Sequence, residues 1–89
     1  MAVQTEWKYL ERRPEKRTQQ LCIKGRNMKV WHLVQPIVVG EDSPEDMAAN
    51  YRLPLEVVLE ALQYYRENEA MILAEVEEEG RMLREESLL

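Results

Sequence analysis

The sequence is 89 residues long and contains no phenylalanine, one cysteine, one histidine and three glycines. Each shortage excludes something. A lone Cys22 forms neither an internal disulfide nor a thiolate metal cluster, which points to the cytoplasm. A lone His32, beside Trp31 in an apolar run, has no neighbouring nucleophile or ligand set. It reads as a packed or half-exposed ring, not a general base. The phosphate-cradling and dinucleotide glycine motifs do not occur, nor do the zinc-protease or serine-hydrolase signatures. An enzyme and a bound cofactor or metal are therefore not expected. The aromatics are Trp7, Tyr9, Trp31, Tyr51, Tyr64 and Tyr65, so Leu, Val and Met must fill the interior. The longest uncharged run, Val30 to Gly40, is far short of the ~20 apolar residues of a membrane span. The opening residues carry charge and no apolar stretch, unlike a secretory signal.

What the chain does have is charge, and it is unevenly placed. Twelve Lys and Arg stand against seventeen Asp and Glu, a formal net of −5. Residues 1–30 hold eight basic and three acidic side chains (net +5), and residues 31–89 hold four and fourteen (net −10). A basic arm ahead of an acidic body suits a nucleic-acid backbone, through Arg12, Arg13, Lys16, Arg17, Lys24, Arg26 and Lys29. It equally suits an arm that folds back onto the acidic half of its own chain or of a second copy.

Along the chain, Trp7 to Arg13 reads as a short strand or helix start that Pro14 ends, and residues 11–20 as an exposed polar connection. Leu21–Lys24 and Met28–Val30 alternate around Lys24-Gly25-Arg26-Asn27. Gly25 and Asn27 tolerate the positive φ of a tight turn, so two short strands are expected near 20–24 and 27–30. Val30, Leu33, Val34, Ile37 and Val38 then repeat with helical spacing, with Gly40 as the stop. Pro36 objects to that helix, and the valine content makes a strand the runner-up.

Ser43-Pro44-Glu45-Asp46 is a helix start: Ser43 as N-cap, Pro44 in the first position and a carboxylate at Asp46. Met47, Ala48 and Tyr51 should face inward. The helix should end by Arg52, because Pro54 restricts Leu53. Val58, Ala61, Leu62 and Tyr65, widened by Leu55 and Leu59, give the next helix its apolar face. Two helices with a three-residue break between them have the spacing of a helix-turn-helix, with the preceding helix as third member. The outward face of the last helix would carry Glu56, Glu60, Gln63, Tyr64 and Glu67. Carboxylates there repel phosphates, and base readout needs Arg, Lys, Asn or Gln. From residue 67 onward a thin stripe of Ile72, Val76 and Leu83 runs through an acidic helix to about Glu86, continuous with the preceding helix or broken near Asn68. Glu77–Arg81 and Arg81–Glu85 are spaced for i, i+4 ion pairs.

The expected architecture is mainly α. A three-helix helix-turn-helix core (20–66) carries a short N-terminal β-hairpin, a basic arm (1–19) precedes it and a long acidic C-terminal helix (67–89) follows. The strings QLCIKGRNMKVWHLV and SPEDMAANYRLPLEVVLEALQYY resemble the domain-of-unknown-function family 433, often described as antitoxin-like. Gly25-Arg26 matches the family's hairpin, and Ser43 to Ala48 its second helix start. Leu53 with Leu55-Glu56-Val57 matches the turn, and Ala61-Leu62 with Tyr64-Tyr65 the third helix. The resemblance spans residues 20–66, and the acidic extension is like that of some small bacterial members. It implies a homeodomain-like helix-turn-helix and the antitoxin role of a toxin–antitoxin pair with a PIN-like ribonuclease. Pro36 and the acidic third helix depart from the pattern.

Two expectations follow. In one, the C-terminal helix occupies a toxin groove through Ile72, Val76 and Leu83, with Arg81 or Arg84 reaching the toxin's carboxylates, while the arm holds operator DNA. In the other, the chain is a homodimeric interaction module with no DNA role.

Overall fold

A computed structural model of the chain describes residues 7–16 and 18–87, and side chains for residues 7–15 and 18–81. The elements in order are β1 (Leu10–Glu11), a 3-10 turn (Pro14–Lys16), β2 (Cys22–Ile23), α1 (Val30–Val38), α2 (Pro44–Tyr51), α3 (Leu55–Glu67) and α4 (Glu69–Ser87). The mainly helical architecture with a short antiparallel strand pair is as the patterning implies.

The strand pairing differs in detail. The turn at Lys24–Asn27 forms, with Gly25 at φ +75° and the Ile23 amide donating to Met28 O at 2.9 Å. Residues 27–30, however, contribute only a single bridge, Lys29 to Cys22. The reason is that Val30 already opens α1, so the return strand has no length. The ladder partner of β2 is β1 instead, with Leu10 opposite Ile23 and Glu11 opposite Cys22.

α1 accommodates Pro36 because the proline lies in its last turn, where only one intrahelical bond is lost. The helix then closes as a Schellman motif: Gly40, at φ +86°, donates to Ile37 O and Glu41 donates to Pro36 O. At its other end the N-cap residue Lys29 has no side-chain cap. A distant side chain takes that place: Gln20 Oε1 accepts from the Trp31 amide at 2.8 Å.

α2 starts with a full capping box. Ser43 Oγ accepts from the Asp46 amide and Asp46 Oδ2 from the Ser43 amide, with Pro44 in the first turn. It ends on Arg52 in the left-handed region, φ 56°. α3 stops at Asn68, whose side-chain amide donates to Tyr64 O, so the acidic helix is broken from α3.

The core gathers Leu33 and Val34 of α1, Met47 of α2, Val58, Ala61, Leu62 and Tyr65 of α3, and Leu10 and Ile23 of the strands. Met47 is buried, and Ala48 and Tyr51 pack partly buried beside it. Leu55 and Leu59 do not widen the buried face of α3. They are 37% and 48% exposed, and Val57 and Tyr64 are buried instead. Helical geometry explains the exchange. The N-terminal segment packs on a second flank of α3, so burial is displaced around the helix toward Val57 and Tyr64 and away from the leucines.

Candidate interaction surfaces

α3 is the helix that follows the turn, and in a groove-reading protein it would be the element that meets bases. Here one of its flanks is sealed by its own chain. The Tyr9 amide donates to Glu60 Oε2 at 3.0 Å and the Tyr9 hydroxyl to Glu56 Oε1 at 3.1 Å. Trp7 meets Tyr64 edge-on, with ring centroids 5.4 Å apart. Tyr64, expected on the outward face, is buried, and its hydroxyl accepts from the Leu21 amide at 3.1 Å. Burial pushes its phenol pKa up, an effect the Leu21 amide partly offsets. What α3 leaves open includes a stripe of Leu55, Leu59 and Arg66, spaced at i, i+4 and i+11, with Gln63 and Glu67 exposed beside it.

The seven basic candidates do not form one patch. Arg13 is matched by Glu11 at 3.0 Å and Glu15 at 3.2 Å, and its bond to Glu15 is the main reason its pKa is raised. Lys29 is matched by Glu79 of α4 at 2.8 Å. Arg26 fastens the hairpin turn to the helix-turn-helix turn, donating from Nη2 to Arg52 O at 3.3 Å. Arg12 and Lys24 remain exposed, beside a cleft of about 990 Å³ that Trp7, Leu21 and Met71 also line. Lys16's side chain and Arg17 lie outside the described residues. A second cleft, of about 580 Å³, brings Arg26 and Lys29 together with Trp31, His32, Tyr51 and Glu79. In it the Tyr51 hydroxyl and His32 Nε2 are 3.1 Å apart.

The first half of α4 is anchored to the body. Ile72 is fully buried in the chain's own core and Val76 packs against that core, so neither is available to fill a toxin groove. The expectation fails there because a stripe too narrow to bury a helix alone still suffices to dock two turns onto α3 and the N-terminal segment. Two acids reinforce the docking: Glu75 accepts from the Thr18 hydroxyl, and Glu79 meets Lys29 one turn on. Arg81 is exposed and pairs with Glu78, three residues back, at 3.4 Å. That is a different partner from the i, i+4 spacing. The side chains of Leu83 and Arg84 lie outside the described residues. Among the described residues no group of three or more His, Cys, Asp or Glu is placed to hold a metal ion, and no helix is long and apolar enough to cross a membrane.

Sequence reasoning missed Thr18 and Gln20. They fall in a stretch read as an exposed polar connection, yet they are 7% and 1% exposed. Their roles are to bond α4 and to cap α1, and neither leaves a periodic signal, because each answers to an element far away in sequence.

The sequence model of the family described as protein of unknown function (DUF433) matches residues 10–65. The chain belongs to that family. The match starts at β1 and ends at Tyr65, so the DUF433 unit comprises the strand pair and the three helices α1–α3, and α4 lies beyond it. The sealing of α3 by Tyr9 and Trp7 comes from just outside the matched span. No curated protein and no solved structure gives a significant match.

Proposed function

We propose that this DUF433 chain is a non-enzymatic, antitoxin-like docking protein. It binds a protein partner of the PIN-like ribonuclease class through the C-terminal end of α4, and it does not read a DNA groove. The observation that carries this reading is the surface of α3. One flank is closed by Trp7 and Tyr9, and the open surface puts Leu55 and Leu59 at its start, leaving Gln63, which already donates to Glu67, and Arg66 as its side chains of the base-reading kind. Phosphate binding by the basic half is weakened for the same kind of reason. Arg13 and Lys29 already face carboxylates within 3.2 Å, so binding DNA would first require breaking those pairs.

The last bond of α4 to the body among the described residues is that of Glu79 to Lys29. From there to Ser87 the helix extends eight residues, about 12 Å, and carries Met82, Leu83 and Arg84. A helix end whose sequence offers Met82 and Leu83 next to Arg84 is of the kind a hydrophobic groove accepts.

The test is inhibition of a candidate PIN-like ribonuclease by the full chain, by the chain ending at Glu79, and by Leu83→Asp. Full inhibition by the first and none by the other two is expected. Equal inhibition by all three would remove α4 from the mechanism. Fluorescence anisotropy with duplex DNA at ~50 mM salt should show no complex; a complex that weakens steeply with added salt would instead indicate backbone binding.

A further inference from the structure

The cleft of about 580 Å³ lies where the hairpin turn, the start of α1, the end of α2 and the middle of α4 meet. Its donors outnumber the acceptors that answer them. Gln20 lines this cleft and is 1% exposed. Its carboxamide oxygen accepts from the Trp31 amide, but its carboxamide nitrogen meets no acceptor among the described residues. A buried N–H left unpaired is costly, so a ligand atom that accepts from it is favoured. Arg26 commits one N–H to Arg52 O. The rest of its guanidinium has no acceptor, and no carboxylate, among the described residues. Lys29 holds a carboxylate already, that of Glu79 at 2.8 Å, so one edge of the cleft accommodates an anionic oxygen. α1 also turns its N-terminal end to the cleft through Lys29, Trp31 and His32, and the partial positive charge of a helix start adds to the attraction for an anion. Trp31 and Tyr51, with Val76, supply an aromatic and apolar wall.

We propose that this cleft binds a small phosphate carried on a flat ring, of the mononucleotide class. A guanidinium fork and an ammonium beside an aromatic wall match that chemistry. The phosphate takes Arg26 and displaces Glu79 from Lys29, the ring lies against Trp31, and Gln20 donates its unpaired N–H to the ligand. An exposed ion pair contributes little, so the exchange at Lys29 costs little. The site stands apart from the docking end of α4, since none of its residues lies beyond Glu79.

Titration of the full chain with adenosine monophosphate, followed by nitrogen–proton correlation NMR, tests it. Saturable shifts are expected at the Trp31 indole N–H, the Gln20 carboxamide and the Glu79 amide. Adenosine and inorganic phosphate, each lacking one half of the ligand, should bind about tenfold or more weakly. Arg26→Gln should weaken adenosine monophosphate by about tenfold or more, with the spectrum of a folded chain retained. Glu79→Gln should tighten it by about threefold, because the competing carboxylate is gone and Lys29 is free. A gain of that kind cannot arise from damage to the fold. No saturable shift at millimolar nucleotide, shifts confined to residues outside the cleft, inorganic phosphate or adenosine binding as tightly as the nucleotide, or affinity indifferent to both Arg26→Gln and Glu79→Gln would each overturn the proposal.

Discussion

Ile72 and Leu73 are adjacent on α4, and the structure assigns them opposite fates. Ile72 is fully buried against the core, while Leu73 is 39% exposed. Truncating Ile72 to alanine removes three buried carbons and leaves a cavity beneath a helix that can collapse only partly. Such changes cost about 2–5 kcal/mol. In a domain this size total stability is about 5–15 kcal/mol, so Ile72→Ala should remove a large share of it. The midpoint of thermal unfolding should fall by about 4–8 °C for each kcal/mol lost. Leu73→Ala keeps helix propensity and gives up little packing, so it should stay within about 0.5 kcal/mol of the parent. Urea unfolding followed by circular dichroism measures both, on the isolated chain with no partner present. If Ile72→Ala and Leu73→Ala agree within about 0.5 kcal/mol, α4 is not docked through Ile72. Its whole apolar stripe then returns to candidacy as a partner surface.

Three further outcomes follow from the same contacts. Gln20→Met keeps the side chain's shape and deletes the acceptor for the Trp31 amide. Urea unfolding should register about 1–3 kcal/mol of lost stability for a buried donor left unpaired, and a loss below about 0.5 kcal/mol would mean the cap is dispensable. Arg52→Gly relieves a left-handed φ of 56° and should stabilise the fold by about 1 kcal/mol, raising the urea midpoint at constant slope. Tyr64's phenol pKa is raised from the model-compound value of 10.0, chiefly by burial. The folded state therefore holds its proton more tightly than the unfolded state. The stability this contributes is complete below pH 10.0 and is lost as pH climbs through the raised value. Melts across the alkaline range should show that decline in the parent and a flatter profile in Tyr64→Phe.

The parts of the fold that were legible in the sequence are those coded locally. Ser43, Pro44 and Asp46 specify a helix start within four residues, and the capping box forms as their chemistry dictates. Gly25 and Gly40 mark the two glycine turns, both at positive φ. The i, i+3, i+4 spacing from Val30 outweighs Pro36 because the proline falls in the last turn. The pairing of β1 with β2 was not legible, since a two-residue strand has no period to detect. The exposure of Leu55 and Leu59 was hidden for another reason. A hydrophobic face specifies which side of a helix is apolar but not how many neighbours cover it. Here the neighbour that shifts the burial is the N-terminal segment, through Trp7 and Tyr9.

The division of charge between the two halves admits a plainer physical account than a nucleic-acid arm. The fold brings the opposite charges of Lys29 and Glu79 together from fifty residues apart, and Glu60 takes a hydrogen bond from the neutral Tyr9 amide, fifty-one residues away. Exposed ion pairs of this kind contribute only about 0–1 kcal/mol each, so they cannot be what holds α4 in place; burial of Ile72 is several times larger. Their value lies in direction. Glu75 and Glu79, four residues apart, both bond to the body, Glu79 from an exposed position, whereas Glu77 and Glu78 between them are exposed and point elsewhere on the helix. The acidic run is thus split by the helix itself. Two carboxylates set the register of α4 against Thr18 and Lys29, and Glu77 and Glu78 keep its outer surface solvated.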